Sequence, residues 1–416
     1  MSAQSKQAIS DFKKRLAAFK RRKFTPYGHS NRYAVELAQA LQGLEGAEDD
    51  PNGAITALLA FFTADQIILN QCDDSNGSIG DVFRTNAAEL FVRFATKCDD
   101  KQWILEQLLP LLSNEPFDFR CMLFEHMATF MPEPIMRQAV TRLWELFELN
   151  GCNDLSSFIF ALEYLAWQLK DPALLIEVIS CKNATRRTGH DLPVAYIIDI
   201  ALLYFQCDDL ANARSWIERI PVTESFKKTE RDTLMAAIYS KLGDTEALTQ
   251  TMWRMYRADR GLSSLNQLIA VVGESEREGI VAQAIAEIMR GKEFEGEDAH
   301  YLFELGRIDD VERYIVNHAK NIEGDFYWIL LNLIDDLKPH NKPLATSVMY
   351  RSLLDSILAR AKSVTYHHGV SYLKKLENLS PTIDDWQGLP DHAAYFAALQ
   401  AQHKQKSSFW RQYQGK

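Results

Sequence analysis

The sequence predicts an all-α protein, built as an irregular tetratricopeptide-like α-solenoid with a helical bundle in its amino-terminal third. Apolar residues recur at helical spacing nearly throughout, whereas alternating, strand-like runs are hard to find. Short turn signatures recur at intervals of 30 to 38 residues after position 165. Glycine and proline breakers separate the periodic segments into pieces one or two helices long.

Residues 1–45 form a basic helical region. Ile9, Phe12, Leu16 and Phe19 make its apolar stripe, surrounded by Lys13, Lys14, Arg15, Lys20, Arg21 and Arg22. Gly43, Gly46, Asp49, Asp50, Pro51 and Gly53 end it. Residues 51–165 follow as a helical bundle, cut by a polar gap at 72–81 and by Pro110, Pro116, Pro132 and Pro134, with no sign of the recurring turn.

Residues 166–360 carry the helix-pair repeats. Turns begin at Lys170, Asp208, Gly243, Gly273, Gly306 and Asn341, spaced 38, 35, 30, 33 and 35 residues apart. Five of them are followed, five positions on, by a small or aliphatic residue: Leu175, Ala213, Leu248, Val311 and Thr346. The clearest case joins Tyr239, Leu242, Gly243, Asp244 and Ala247. One helix pair cannot bury both of its faces, so stacking on a neighbour makes the core continuous. Three apolar stripes fit this plan: Leu234, Ile238 and Leu242; Val311, Tyr314, Ile315 and His318; and Met349, Leu353 and Ile357. Residues 361–416 complete the chain as C-terminal capping helices.

Composition narrows the functional classes. The 416 residues are 47% hydrophobic and 25% charged, which argues against disorder for most of the chain. No uninterrupted apolar run approaches the length of a membrane span, and the stretch at 195–205 is broken by Asp199. Ser2, Gln4, Ser5 and Lys6 open the chain without the apolar core of a secretory signal, so a cytoplasmic location is expected. Cys72, Cys98, Cys121, Cys152, Cys181 and Cys207 are never closer than 23 residues, which excludes paired zinc knuckles and predicts reduced thiols packed as small hydrophobes. Charge is segregated: residues 1–36 carry net +7 and 357–416 net +4, leaving −21 on the body between them.

The sequence carries no phosphate-binding loop, dinucleotide fingerprint, zinc-protease motif, nucleophile elbow or calcium loop, so it assigns no catalytic residue, metal ligand or cofactor. The segments YLFELGRIDDVERYIVNHA, RAKSVTYHHGVSYLKKL and DWQGLPDHAAYF, together with the opening FKKRLAAFKRRKFTPYGHSNRYAVELA, resemble an uncharacterised bacterial family of helical-repeat proteins. Its C-terminal part in turn resembles the helical region of SWIM zinc-finger proteins. The resemblance implies a helical-repeat protein without an assigned reaction. This chain lacks the clustered Cys and His of such a finger, so no zinc site carries over.

The candidate binding residues are Lys20, Arg21, Arg22 and Lys23 near the amino terminus, and His367, His368, Lys374, Lys375, Trp386, Lys404, Lys406 and Trp410 near the carboxyl terminus. Basic groups among aromatic faces suit phosphates and unpaired bases. Terminal helices that cover an exposed core have the same composition. Adjacent histidines on a helix point about 100° apart, so His367 and His368 do not readily share one metal, although either can meet His392 or His403. Three readings follow. The first is a non-catalytic scaffold or adaptor binding a protein partner through a helical-repeat surface. The second is a nucleic-acid-associated protein using both basic ends. The third is an enzyme with a site near His367, His368 and Asp385.

Overall fold

The computed structural model describes residues 2–113, 115–150, 155–185 and 192–415. It is all-α: among the described residues there is no β-strand, only an isolated bridge between Thr25 and Cys72. The chain divides into two compact units, Met1–Leu234 and Met235–Lys416.

In the first unit the basic amino-terminal helix, Ala3–Phe19, is part of the core. Ile9, Phe12 and Leu16 are buried, and the helix packs on Ser30–Leu44 and Pro51–Phe62. Its end meets Tyr33, whose ring lies 5.9 Å from that of Phe19. Asp50 starts the Pro51–Phe62 helix by accepting the Gly53 N–H at 3.1 Å, with proline in the first turn, where its missing N–H costs nothing. Phe61 and Phe83 stack at 4.4 Å, and Phe83 on Phe119 at 5.0 Å, drawing three separate segments together.

Beside this stack lies a buried ion pair. Arg120 donates Nε to Asp65 Oδ2 at 3.0 Å and Nη2 to Oδ1 at 2.7 Å, while its Nη1 reaches the Leu111 carbonyl at 3.2 Å. Glu115, also buried, accepts the backbone N–H of Arg120 and of Cys121. Burial outweighs these bonds and pushes its carboxyl up to about 7. Cys72, Cys98, Cys121 and Cys207 are free thiols, the first three buried. Burial raises the first three and Cys207 above the ordinary thiol range, Cys72 to about 11, which keeps them protonated. Cys152 lies outside the described residues.

All six turn positions marked by the sequence take a positive φ: 51° at Lys170, 62° at Asp208, 70° at Gly243, 103° at Gly273, 71° at Gly306 and 51° at Asn341. Four share one construction. The N–H of the following residue reaches the carbonyl five positions back, Asp171 to Ala166, Asp209 to Tyr204, Asp244 to Tyr239 and Arg307 to Leu302, at 2.9–3.0 Å. This left-handed C-terminal cap satisfies carbonyls that the ending helix cannot use. In three of the four, the same residue then caps the next helix: Asp171 accepts from Leu174, Asp209 from Asn212 and Asp244 from Ala247, at 3.0–3.2 Å. Of the residues five positions on, Leu175, Ala213, Val311 and Thr346 are buried and Leu248 is half-buried.

Within the second unit, Thr245–Ala258 packs on Leu262–Val272, Gly296–Glu304 on Ile308–Asn317, and Pro343–Arg360 on Tyr366–Leu379. The stripes at 311–318 and 349–357 are buried, as their spacing predicts. Leu242 departs from its stripe and is exposed; it is the last residue of its helix, ahead of the Gly243 turn. Two glycines permit close contact. A Cβ on Gly296 would stand 2.4 Å from Ile329 Cγ2, and one on Gly324 only 2.1 Å from the Ser352 carbonyl oxygen.

Candidate binding groove

A concavity of about 770 Å³ lies wholly within the second unit. Three pieces of chain build it: the end of the Thr245–Ala258 helix with Asp259 and Arg260, the first turns of Gly296–Glu304, and one face of Tyr327–Leu337. Gly296 lets the last two approach, since a side chain there would strike Ile329. Tyr301, one of the groove's lining residues, is tied to the buried Tyr256, the two phenol oxygens lying 2.6 Å apart.

The lining is acidic. Asp259, Glu295, Glu297, Asp298, Glu304, Asp335 and Asp336 contribute carboxylates against Arg257 and Arg260. Both arginines are already engaged: Glu287 takes Arg257 at 2.9 Å and Arg260 at 3.1 Å, and Asp298 takes Arg260 at 3.3 Å. The hydrogen bond from Arg257 holds Glu287 down at about 2, so that pair stays charged at neutral pH. Asp335 is tied to Lys338, and Glu304 lies 3.7 Å from His300. Asp259, Glu295, Glu297 and Asp336 have no ion pair among the described residues, which leaves the groove with excess negative charge. Glu297 and Asp298 sit in the first turn of their helix, where the helix dipole favours carboxylates.

An aromatic cluster adjoins the groove. Phe326, Tyr327 and Trp328 are 50%, 54% and 52% exposed, and Trp328 makes edge contacts with the other two at 5.7 and 5.5 Å. Trp328 precedes the lining residues Asn332 and Asp335 by four and seven positions, so the three share one stripe of the helix. The segment ahead of the cluster is pinned. Gly324 abuts Ser352, and Asp325 accepts the Ser356 hydroxyl and lies 3.6 Å from Arg360. Large aromatics held open on a fixed support are the usual anchors of protein interfaces.

Sequence reasoning did not single out this cluster. Its signal was available: Leu330, Leu333, Ile334 and Leu337 alone supply the buried stripe of that helix, so three consecutive aromatics before it are in excess of what the core uses.

The sequence-marked candidates lie elsewhere. Arg21 and Lys23 are exposed and Lys20 is half-buried, but Arg22 is tied down by Glu36, by Thr25 Oγ1 at 3.1 Å and by the Tyr33 ring at 4.2 Å. His367 and His368 are both exposed, their rings 3.9 Å apart, and His367 Nδ1 meets the Val364 carbonyl at 2.9 Å. Neither has a hydrogen bond with Asp385, His392 or His403 among the described residues, and Asp385 accepts the Gln387 N–H of its own loop. Lys374 is exposed. Lys375 lies 5.0 Å from the Tyr350 ring. Trp386 stacks on Arg351 at 4.5 Å, and Trp410 donates Nε1 to the His403 carbonyl at 2.9 Å. Lys404 and Lys406 flank the end of the His392–His403 helix. No group of three or more His, Cys, Asp or Glu poised for a metal occurs among the described residues.

One family, described as a family of unknown function (DUF6880), matches residues 194–412, just over half of the chain. No curated protein and no solved structure matches.

Proposed function

We propose a binding role for this chain, which belongs to the DUF6880 family of unknown function: a non-catalytic scaffold or adaptor that holds a protein partner on the acidic groove of its second unit. The observation that carries the reading is the aromatic cluster at 326–328, fixed at one end of a groove whose own arginines are neutralised. Carboxylates attract lysine and arginine, and exposed Tyr and Trp faces add cation–π contact and apolar burial. The fitting partner is therefore a basic segment with at least one apolar anchor. Helix pairs joined by the repeated left-handed turn agree with a solenoid of tetratricopeptide type as the support for such a surface. A bacterial source, a cytoplasmic location and kinship of the C-terminal part with SWIM proteins belong to the same proposal. No helix among the described residues is long and apolar enough to cross a membrane.

The test is fluorescence anisotropy with labelled lysine- and arginine-rich peptides, with and without an aromatic residue, over a range of salt. The reading expects micromolar binding that weakens as salt rises, falls at least tenfold in Trp328→Ala, and is abolished by Asp335→Lys with Asp336→Lys. Equal binding by acidic peptides, or by the Trp328→Ala chain, refutes it.

A second reading keeps nucleic acid as the partner of the amino-terminal face. Phe24 and Tyr27 are more than half exposed beside Arg21 and Lys23. The loop carrying them is pinned by backbone bonds from Thr25 to Gln71 and from Asp73 to Thr25, at 2.7 and 2.9 Å. Binding of single-stranded RNA that drops on Phe24→Ala and on Arg21→Gln with Lys23→Gln supports it, and no retention at low salt removes it.

A further inference from the structure

The Pro343–Arg360 helix is buried along most of its length, yet it carries an arginine inward: Arg351 is 8% exposed. A buried guanidinium calls for acceptors on every N–H. Here the ring centres of Trp386 and Tyr395 each lie 4.5 Å from its Cζ, and Nη1 donates to the Pro390 carbonyl at 2.8 Å. Nε and Nη2 find no acceptor among the described residues. These two groups form the parallel fork that, in Arg120 of the same chain, takes both oxygens of Asp65. Asp355, one helical turn further on, is occupied by the Tyr395 hydroxyl at 2.7 Å and makes no ion pair with Arg351.

A third unpartnered buried atom belongs to the same neighbourhood. His392 Nδ1 has no hydrogen bond, and the ring stacks on Phe396 at 6.1 Å. Burial first, and then the charge of Arg351, hold His392 below the ordinary imidazole range, so it is neutral and free to carry its proton on Nδ1. Over Arg351 lies the non-helical stretch 383–391, which leads directly into His392. It is held by Ile383 packed on Val316 and Leu344, by Trp386 on Arg351 and by the Pro390 carbonyl, and it turns through left-handed Gln387 and Gly388.

We propose that Arg351 and His392 form a binding site for a carboxylate ligand, reached when residues 383–391 lift Trp386 from the guanidinium. The fork supplies two parallel N–H donors and one positive charge, which match a planar monoanion. A phosphate dianion is poorly matched, since Asp355 and Asp391 already lie within electrostatic range of Arg351. None of these residues lines the acidic groove, so the inference stands apart from the proposed partner surface.

The experiment uses the full chain labelled with 5-fluorotryptophan, in which the Trp386 fluorine resonance is identified by its loss in Trp386→Phe. Sodium acetate, trialanine with a free or amidated C-terminus, inorganic phosphate and sodium chloride are titrated at matched ionic strength. A saturable shift of the Trp386 signal with acetate or free trialanine, absent with amidated trialanine and chloride, is expected, and acetate against free trialanine separates a small acid from a peptide terminus. Arg351→Lys keeps the charge but not the fork, and half-saturation moves up at least tenfold. His392→Gln, which touches neither the charge nor the stacked cover, weakens binding several-fold and serves if the arginine variant does not fold. A shift with phosphate alone, a response equal to that with chloride, or no response overturns the assignment.

Discussion

Removing the charge of Asp65 in an Asp65→Asn variant tests whether the first unit depends on its buried ion pair. Asp65 is fully buried and Arg120 nearly so, and two charge-assisted bonds at 3.0 and 2.7 Å join them. Each such bond contributes about 1.5–3 kcal/mol, and one partner removed from a buried pair strands the other charge at a cost of about 3–5 kcal/mol. An asparagine keeps one acceptor but turns an amide N–H toward the guanidinium, so the loss should lie near 3 kcal/mol or above. In urea unfolding followed by far-UV circular dichroism, with a slope near 3 kcal/mol per molar, the midpoint of the first unit's transition falls by about 1 M. The double change Asp65→Leu with Arg120→Met removes both charges and recovers most of the loss. A midpoint shift below about 0.3 M for Asp65→Asn, or a double variant worse than the single one, refutes the reasoning.

Four further substitutions have outcomes set by the fold. Burial pushes the Glu115 carboxyl up to about 7 in the fold from an ordinary value of 4.5, so its protonated form is favoured by folding. That contribution is complete below about 4.5 and is lost as pH rises through about 7, by roughly 3 kcal/mol in all. Glu115→Gln should flatten the stability profile across that window, and an unchanged profile contradicts it. Gly324→Ala forces a carbon to within 2.1 Å of a backbone oxygen, so it should cost well over 2 kcal/mol in thermal unfolding of the second unit and weaken peptide binding at 326–328. Gly243→Ala places a side chain at φ 70° and should cost about 1 kcal/mol, while Lys170→Gly, relieving the same strain at φ 51°, should gain up to about 1 kcal/mol by chemical denaturation.

Much of the fold was legible because it rests on local rules. Helical periodicity depends on neighbours three and four positions apart, and the turns at Lys170, Asp208, Gly243 and Gly306 announce themselves through the residue after them as much as through glycine. The sites were less legible, because their partners are distant in sequence. Arg22 reads as one of four loose cations until Glu36, fourteen positions away, takes it. Trp386 and Tyr395 read as a basic-aromatic surface, yet they pack on Arg351 from an earlier helix. The groove needed three segments brought together across nearly eighty residues, and no local pattern encodes that closure.

The left-handed turn also constrains how the chain can change length. At three of its occurrences the residue that ends one helix and the aspartate that starts the next are joined by a single peptide bond. One extra residue between Gly243 and Asp244 would leave the carbonyls of the first helix and the amides of the second unsatisfied together. Spacings between successive turns nevertheless range from 30 to 38 residues. Insertions and fusion tags are thus best placed in the longer connections between helix pairs, and a linker library scanned along the chain should show sharp intolerance at each of these junctions.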